Sequence, residues 1–265
     1  MSRKSLPARI WRAGIIALVG TYLLLPLFAM LNFSTQPFGG GNQGRTLRAW
    51  RVIPTQQDLV PSVILSLTLA LIVMIFILII VVPTVVWVHL KLPKLRRTLE
   101  LICLLPLATP AIVIVVGVAP IYRWMSIHVT ESGITLAGVY TILILPYTYR
   151  SLSSALAAVD IHTLAEAART LGASTARMMG QVIIPTIRSG IISGAVVSIA
   201  LVLGEFTISS LLNFKTLQPV VANLGRSDGY VAVAVSLASL LFVFALLAII
   251  PTEKKYKLVL DVDIQ

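Results

Sequence analysis

Three groups of residues in this 265-residue chain have types and spacings that can do chemistry. The first is Glu166-Ala167-Ala168, followed by Gly172 and, after nine residues, by Val182, Ile184 and Pro185. Glu166 can cap its own helix or pair with a cation on a partner. Ala167 and Ala168 are small enough to let a helix approach a groove, and Gly172 permits a tight turn that a side chain would obstruct. The second group is Gly204-Glu205-Phe206, a carboxylate inside an apolar stretch. An ionised acid at the bilayer centre costs roughly 2.5 to 3.5 kcal/mol on insertion scales, so such acids face a polar cavity or a partner. Glu205 therefore lines a path or gate that favours a cationic solute, or makes a structural hydrogen bond or ion pair, or is held protonated. The third group is Tyr147, Tyr149 and Arg150, which either line the same path or belong to an interfacial aromatic belt.

Other chemistry is missing. The sequence holds no Gly-x-x-x-x-Gly-Lys-Ser/Thr phosphate loop and no hydrolytic constellation. His89, His128 and His162 are dispersed, which argues against a metal site, and the lone Cys103 can form no intramolecular disulfide. These features predict a non-catalytic chain with no cofactor of its own, driven by energy that arrives from elsewhere.

The elements that must position these residues are membrane spans. Hydrophobic residues make up 57% of the chain, charged residues 12%, and mean hydropathy is +0.95, against about 45–50% apolar in soluble domains. A hydrocarbon core roughly 30 Å thick needs about 20 apolar residues per helix. Six such stretches are present, at about 13–31, 62–88, 101–121, 134–149, 191–213 and 231–251. The fourth is the shortest, and Pro83 is placed to kink the second. The first has a basic start but no small-x-small cleavage site, so a retained helix is predicted.

The net charge of +11 is topological. With the amino terminus inside, fifteen of the 21 basic residues fall in cytoplasmic segments and six outside, which predicts both termini in the cytoplasm. Arg45, Arg48 and Arg51 form the discordant outside cluster, read as a solvated face or a docking surface. The expected organisation is a tail, first span and extracytoplasmic loop over 1–60, a transport core over 61–251 with a cytoplasmic loop at 150–190, and a tail over 252–265.

Within that loop, apolar residues recur at helical intervals from Ala155 to Met179 and Gly172 interrupts them, which predicts two short helices joined at Gly172. Asp160 or Thr163 can cap the first, and Thr163 with Glu166 has the spacing of a capping box, so the helix bearing Glu166 is predicted to begin there. Pro185 should end or kink the second before the fifth span.

The pattern Glu-Ala-Ala, three residues, Gly, nine residues, Val182-x-Ile184-Pro185 resembles the signature of membrane subunits of ATP-driven (ABC) importers. Val182 and Ile184 stand where the family usually has Ile and Leu. The resemblance covers roughly residues 61–250, and the stretches from Leu145 to Ser174 and from Ala200 to Leu212 look most like the spermidine/putrescine-type branch. Ferric iron, sulfate, thiamine and aminoethylphosphonate importers share much of that pattern. The resemblance implies an all-α fold of six transmembrane helices, the type I importer permease fold, in the bacterial inner membrane. It implies that Glu166, Ala167, Ala168, Gly172 and Pro185 form a coupling helix docked on an ATPase, and that Glu205, Phe206 and Tyr147 lie on the solute path or gate. The implied partners are two ATPase copies carrying ATP and Mg, a second permease that is a different chain, and an extracytoplasmic solute-binding protein. A secondary transporter would show paired broken helices or repeat symmetry, and a membrane scaffold or enzyme would not need the docking motif.

Overall fold

A computed structural model describes residues 6–37 and 44–248, with side-chain burial from Trp11 onward. The Gly39-Gly40-Gly41 run, Arg3, Lys4 and the 252–265 tail lie outside the described residues. Every regular element among the described residues is helical.

Helix α1 (Leu6–Ser34) is the first span. Helix α2 (Arg48–Val52) and a 3-10 turn at Ile53–Thr55 follow in the segment between the first and second spans. Helices α3 (Leu59–Phe76) and α4 (Val82–Lys91) are joined by a π turn at Ile77–Val81, so Leu59–Lys91 runs unbroken for 33 residues. Pro83 sits directly after that turn. Its ring would collide with a carbonyl one turn back in a regular helix, and the wider π turn before it accommodates the proline within a continuous helix. The Thr84 hydroxyl donates to the Ile80 carbonyl at 2.6 Å. On the upper part of this helix Ser66, Leu69, Ala70, Val73 and Ile77 are buried, and on the lower part Val81, Val82, Val85, Val86 and His89.

The third span differs from the continuous stretch expected at 101–121. It consists of α5 (Arg96–Ala108) and α6 (Ala111–His128), interrupted at Thr109-Pro110. Thr109 is extended, with φ −98° and ψ 120°, because the residue before proline is driven out of the helical region and the proline has no N–H to continue the ladder. The fourth span, α7 (Leu136–Ala157), is longer than the 134–149 expected. It bends by 66° into α8 (Ile161–Thr170). Helices α9 (Thr175–Met178) and α10 (Ile184–Thr186), separated by a second π turn at Met179–Ile183, lead to the fifth span. That span is α11 (Arg188–Gly204) and α12 (Thr207–Leu211), broken at Glu205-Phe206 where continuity over 191–213 was expected. Helix α13 (Leu217–Ser227) precedes the last span, α14 (Gly229–Ala248). Five helical stretches are long and apolar enough to cross a membrane, and α7 with its bent continuation brings the number to six.

The tightest helix pair is α7 with α11. Lipid tails are as apolar as leucine, so membrane helices associate through close packing and hydrogen bonds between small residues. Gly190, Gly194 and Ser198 recur every fourth residue along α11. The Gly190 carbonyl accepts from the Ser151 hydroxyl at 2.8 Å, and the Ser198 and Thr148 hydroxyls lie 3.3 Å apart. Cys103 is buried in the same core, as packing predicts.

The segment after α1 is packed. Ala49 of α2 shares a buried cluster with Leu59, Leu217, Val221 and Val231. The Trp50 indole donates to Ser34 at 3.2 Å, and Phe33 stacks on Tyr230 at 4.8 Å. Of the arginines in question, Arg48 pairs with Asp228 at 3.2 Å and Arg45 donates to Thr35 at 2.9 Å. Both therefore have partners within the chain.

Candidate functional site

The cytoplasmic loop is built from its caps. Helix α8 begins at Ile161, and of the two caps expected it is Asp160 that acts, so the helix starts before the Thr163 box. The Asp160 carboxylate accepts from the Thr163 amide at 3.2 Å and from its hydroxyl at 2.7 Å. A carboxylate satisfies free amides at a helix start better than a hydroxyl can, since it also complements the helix dipole. These hydrogen bonds, the hydroxyl of Thr163 first, hold the Asp160 carboxyl below its usual range. A lowered carboxyl pKa means that the cap contributes above the ordinary range and is lost as pH falls through the lowered value.

At its other end α8 closes with a Schellman turn. The Gly172 amide donates to the Arg169 carbonyl at 2.9 Å and the Ala173 amide to the Ala168 carbonyl at 3.0 Å, with Gly172 at φ +79°. Two short helical segments joined at Gly172 are thus present. Nothing crowds a Cβ at Gly172, so the residue is required for its dihedral alone. Gly172→Asn should be tolerated, whereas Gly172→Val should cost on the order of 1–2 kcal/mol of local stability. Limited proteolysis at residues 170–175 reads the difference, and equal cleavage rates would contradict it.

The motif residues separate onto two faces. Ile161, Ala165 and Ala168 are buried where α8 packs on α9 and on the π turn Met179–Ile183, while Glu166 and Ala167 are exposed. Ala168 is 6% exposed, so its small size serves packing beneath the helix and not a groove above it. Leu171, which the motif does not include, is 88% exposed beside Gly172. Its signal in the sequence is an apolar residue immediately before a glycine turn. Pro185 follows the second π turn as Pro83 follows the first, and the Thr186 hydroxyl donates to Val182 at 2.6 Å as Thr84 does to Ile80. The chain therefore carries on past Pro185 and deviates only at Ile187, with φ −97° and ψ 15°.

The second site lies inside the membrane. A cleft of about 340 Å³ brings together Glu205, Phe206 and Tyr147, with Leu107 from the third span and Leu143 from the fourth. Tyr147 is near the middle of α7, not at the cytoplasmic end expected, because α7 continues to Ala157. Tyr149 points away from this group and is buried against His89, with ring centroids 6.4 Å apart, while Arg150 is exposed. Two interrupted spans supply walls of the cleft: α5 just before the Thr109-Pro110 break, and the fifth span at its own break. Irregular backbone at membrane depth is tolerated where protein buries it or where it lines a cavity.

Glu205 makes that break. Its Oε1 accepts from the Ile208 amide at 2.7 Å, and its Oε2 from the Ser209 amide at 3.2 Å and from the Tyr140 hydroxyl at 2.6 Å. Tyr140, 1% exposed, was not among the residues expected here. A carboxylate offers about four lone-pair sites. With three of them filled, Glu205 has a structural role and one lone pair left to offer the cleft. Among the described residues no group of His, Cys, Asp and Glu is arranged to hold a metal ion.

Residues 71–251 match the family described as binding-protein-dependent transport system inner membrane component. No curated protein matches the chain.

Proposed function

This chain belongs to the family of binding-protein-dependent transport system inner membrane components, permease subunits of ABC importers, and we propose that it carries a polyamine or a related small cation. In this reading residues 61–251 are the transport core, set in the bacterial cytoplasmic membrane. A second, different permease completes the path. Two ATPase copies, which bind ATP and Mg, drive it, and an extracytoplasmic binding protein delivers the solute.

The observation that carries the mechanism is the outward face of α8. Glu166, Ala167 and Leu171 are exposed on a helix set at 66° to its span and fastened at both ends. Such a helix transmits a push along its length with little internal give. Glu166 supplies a charge for pairing, Ala167 allows close approach, and Leu171 supplies an apolar anchor for a pocket on the ATPase. Gly172 and Pro185 fix where the loop turns and how it re-enters the membrane.

The solute reading rests on the cleft. Glu205 offers its remaining lone pair beside the rings of Tyr147 and Phe206, a combination that suits an ammonium group through charge and cation–π attraction. Copurification of the tagged chain with its ATPase tests the mechanism. Leu171→Glu should reduce recovery of the ATPase at least tenfold while leaving the permease pair intact. Undiminished recovery would reject docking through this face. Spermidine bound by the associated binding protein, and taken up in an ATP-dependent manner, would support the solute assignment. Binding of sulfate, ferric iron or thiamine in its place would overturn it.

A further inference from the structure

Interrupting a helix displaces ladder hydrogen bonds, and the break at Glu205 shows where each of them went. In an unbroken helix the amides of Thr207, Ile208 and Ser209 would donate to the carbonyls of Leu203, Gly204 and Glu205. Side chains have taken these places. The Glu205 carboxylate receives the amides of Ile208 and Ser209, and the Leu203 carbonyl receives the side-chain amide of Gln218 at 2.8 Å. The Gly204 carbonyl and the Thr207 amide are thereby released from the ladder, and both residues line the cleft.

Gln218 is in the first turn of α13, the short helix that precedes the last span. That turn is also fixed by the Leu217 amide, which donates to the buried Ser66 hydroxyl of α3 at 2.8 Å. Tyr140 reaches Glu205 from α7. The break is thus held from two sides, by α13 and by the fourth span.

We infer that Gln218 and Tyr140 are positioning residues that set the wall of the solute cleft, and that through Gln218 the extracytoplasmic helix α13 is tied directly to that wall. A binding protein pressing on α13 would pull on the Leu203 carbonyl and so alter the cleft. This rests on the cleft being the solute path, as proposed above. The substitutions that isolate it are Gln218→Glu, which keeps the shape and removes the donor, Tyr140→Phe, which removes only the hydroxyl, and Gln218→Lys, which restores a donor.

The experiment uses the full permease–ATPase complex in lipid nanodiscs. Hydrogen exchange of the peptide over 203–211 should rise at least tenfold in Gln218→Glu and in Tyr140→Phe, with α14 unchanged. Gln218→Lys should recover at least half of the lost protection. With spermidine-loaded binding protein, the first two variants should raise KM for uptake severalfold more than they lower kcat. Wild-type exchange in both variants, or a rise spread over the whole chain, would overturn the inference. If the wild-type complex takes up no spermidine, the solute proposal falls while the exchange result still decides the positioning role.

Discussion

Gly190→Leu should abolish assembly of the permease. A Cβ at this position would collide with the Ala155 Cβ and meet the Ser151 carbonyl oxygen at 3.0 Å. Neither is the free end of a flexible side chain, so α7 and α11 would have to separate. Overpacking typically costs about 1–3 kcal/mol. Here the separation would also stretch the Ser151 to Gly190 and Thr148 to Ser198 contacts, each worth about 0.6 kcal/mol between membrane helices. The seam joins the fourth and fifth spans, and these carry the two ends of the cytoplasmic loop. The expected result is loss of the monodisperse complex in size-exclusion chromatography and loss of uptake. Gly194→Ala provides the contrast, because the nearest atom to a Cβ there is the Thr148 methyl at 3.5 Å, an ordinary contact. If Gly190→Leu assembles normally, the seam is not close-packed as described.

The second large effect is expected at Glu205. Glu205→Ala strips the acceptor from the Ile208 and Ser209 amides and from the buried Tyr140 hydroxyl. Each unsatisfied buried donor costs about 1–3 kcal/mol, so the fifth span should lose its defined break and uptake should fall by more than 100-fold. Glu205→Gln keeps one carbonyl oxygen and replaces the other by an NH2 group, which cannot accept from Tyr140 or Ser209. It should fold and retain partial transport, and adding Tyr140→Phe to it should cost less than Tyr140→Phe costs alone. That double-mutant comparison distinguishes a structural bond from a solute contact. Full uptake by Glu205→Ala would remove Glu205 from both roles.

Much of this arrangement is legible in the residues. The apolar stretches, the Gly172 turn and the acid within the fifth of them are local properties of composition and spacing, whereas the length of the fourth span and the breaks in the third and fifth are not. The cap of α8 is a closer matter. Asp160 and Thr163 are both competent caps, and which one acts depends on where the chain leaves α7, a tertiary fact. The break at Thr109-Pro110 is signalled by the proline, yet hydropathy runs straight through it. Tyr140 is brought to Glu205 across 65 residues and Gln218 to the Leu203 carbonyl across 15, and no periodicity reports either meeting. Gly190, Gly194 and Ser198 stand at four-residue spacing in the sequence. Their partner on α7 is not marked in this way, because Ser151 and Ala155 are unremarkable in composition.

The π turn at Ile77–Val81 has a consequence for register. A regular helix descending from Leu69, Val73 and Ile77 would bring its buried row to Ile80 and Thr84, both exposed. The buried row resumes instead one residue later, at Val81, Val85 and His89. One residue corresponds to about 100° of rotation, so the upper and lower halves of this span are out of phase with each other by nearly a third of a turn. The same device stands before Pro185 at the threshold of the fifth span. In each case a single extra residue lets the membrane half and the cytoplasmic half choose their inward faces separately. Substitutions that suit one half therefore need not be matched in the other.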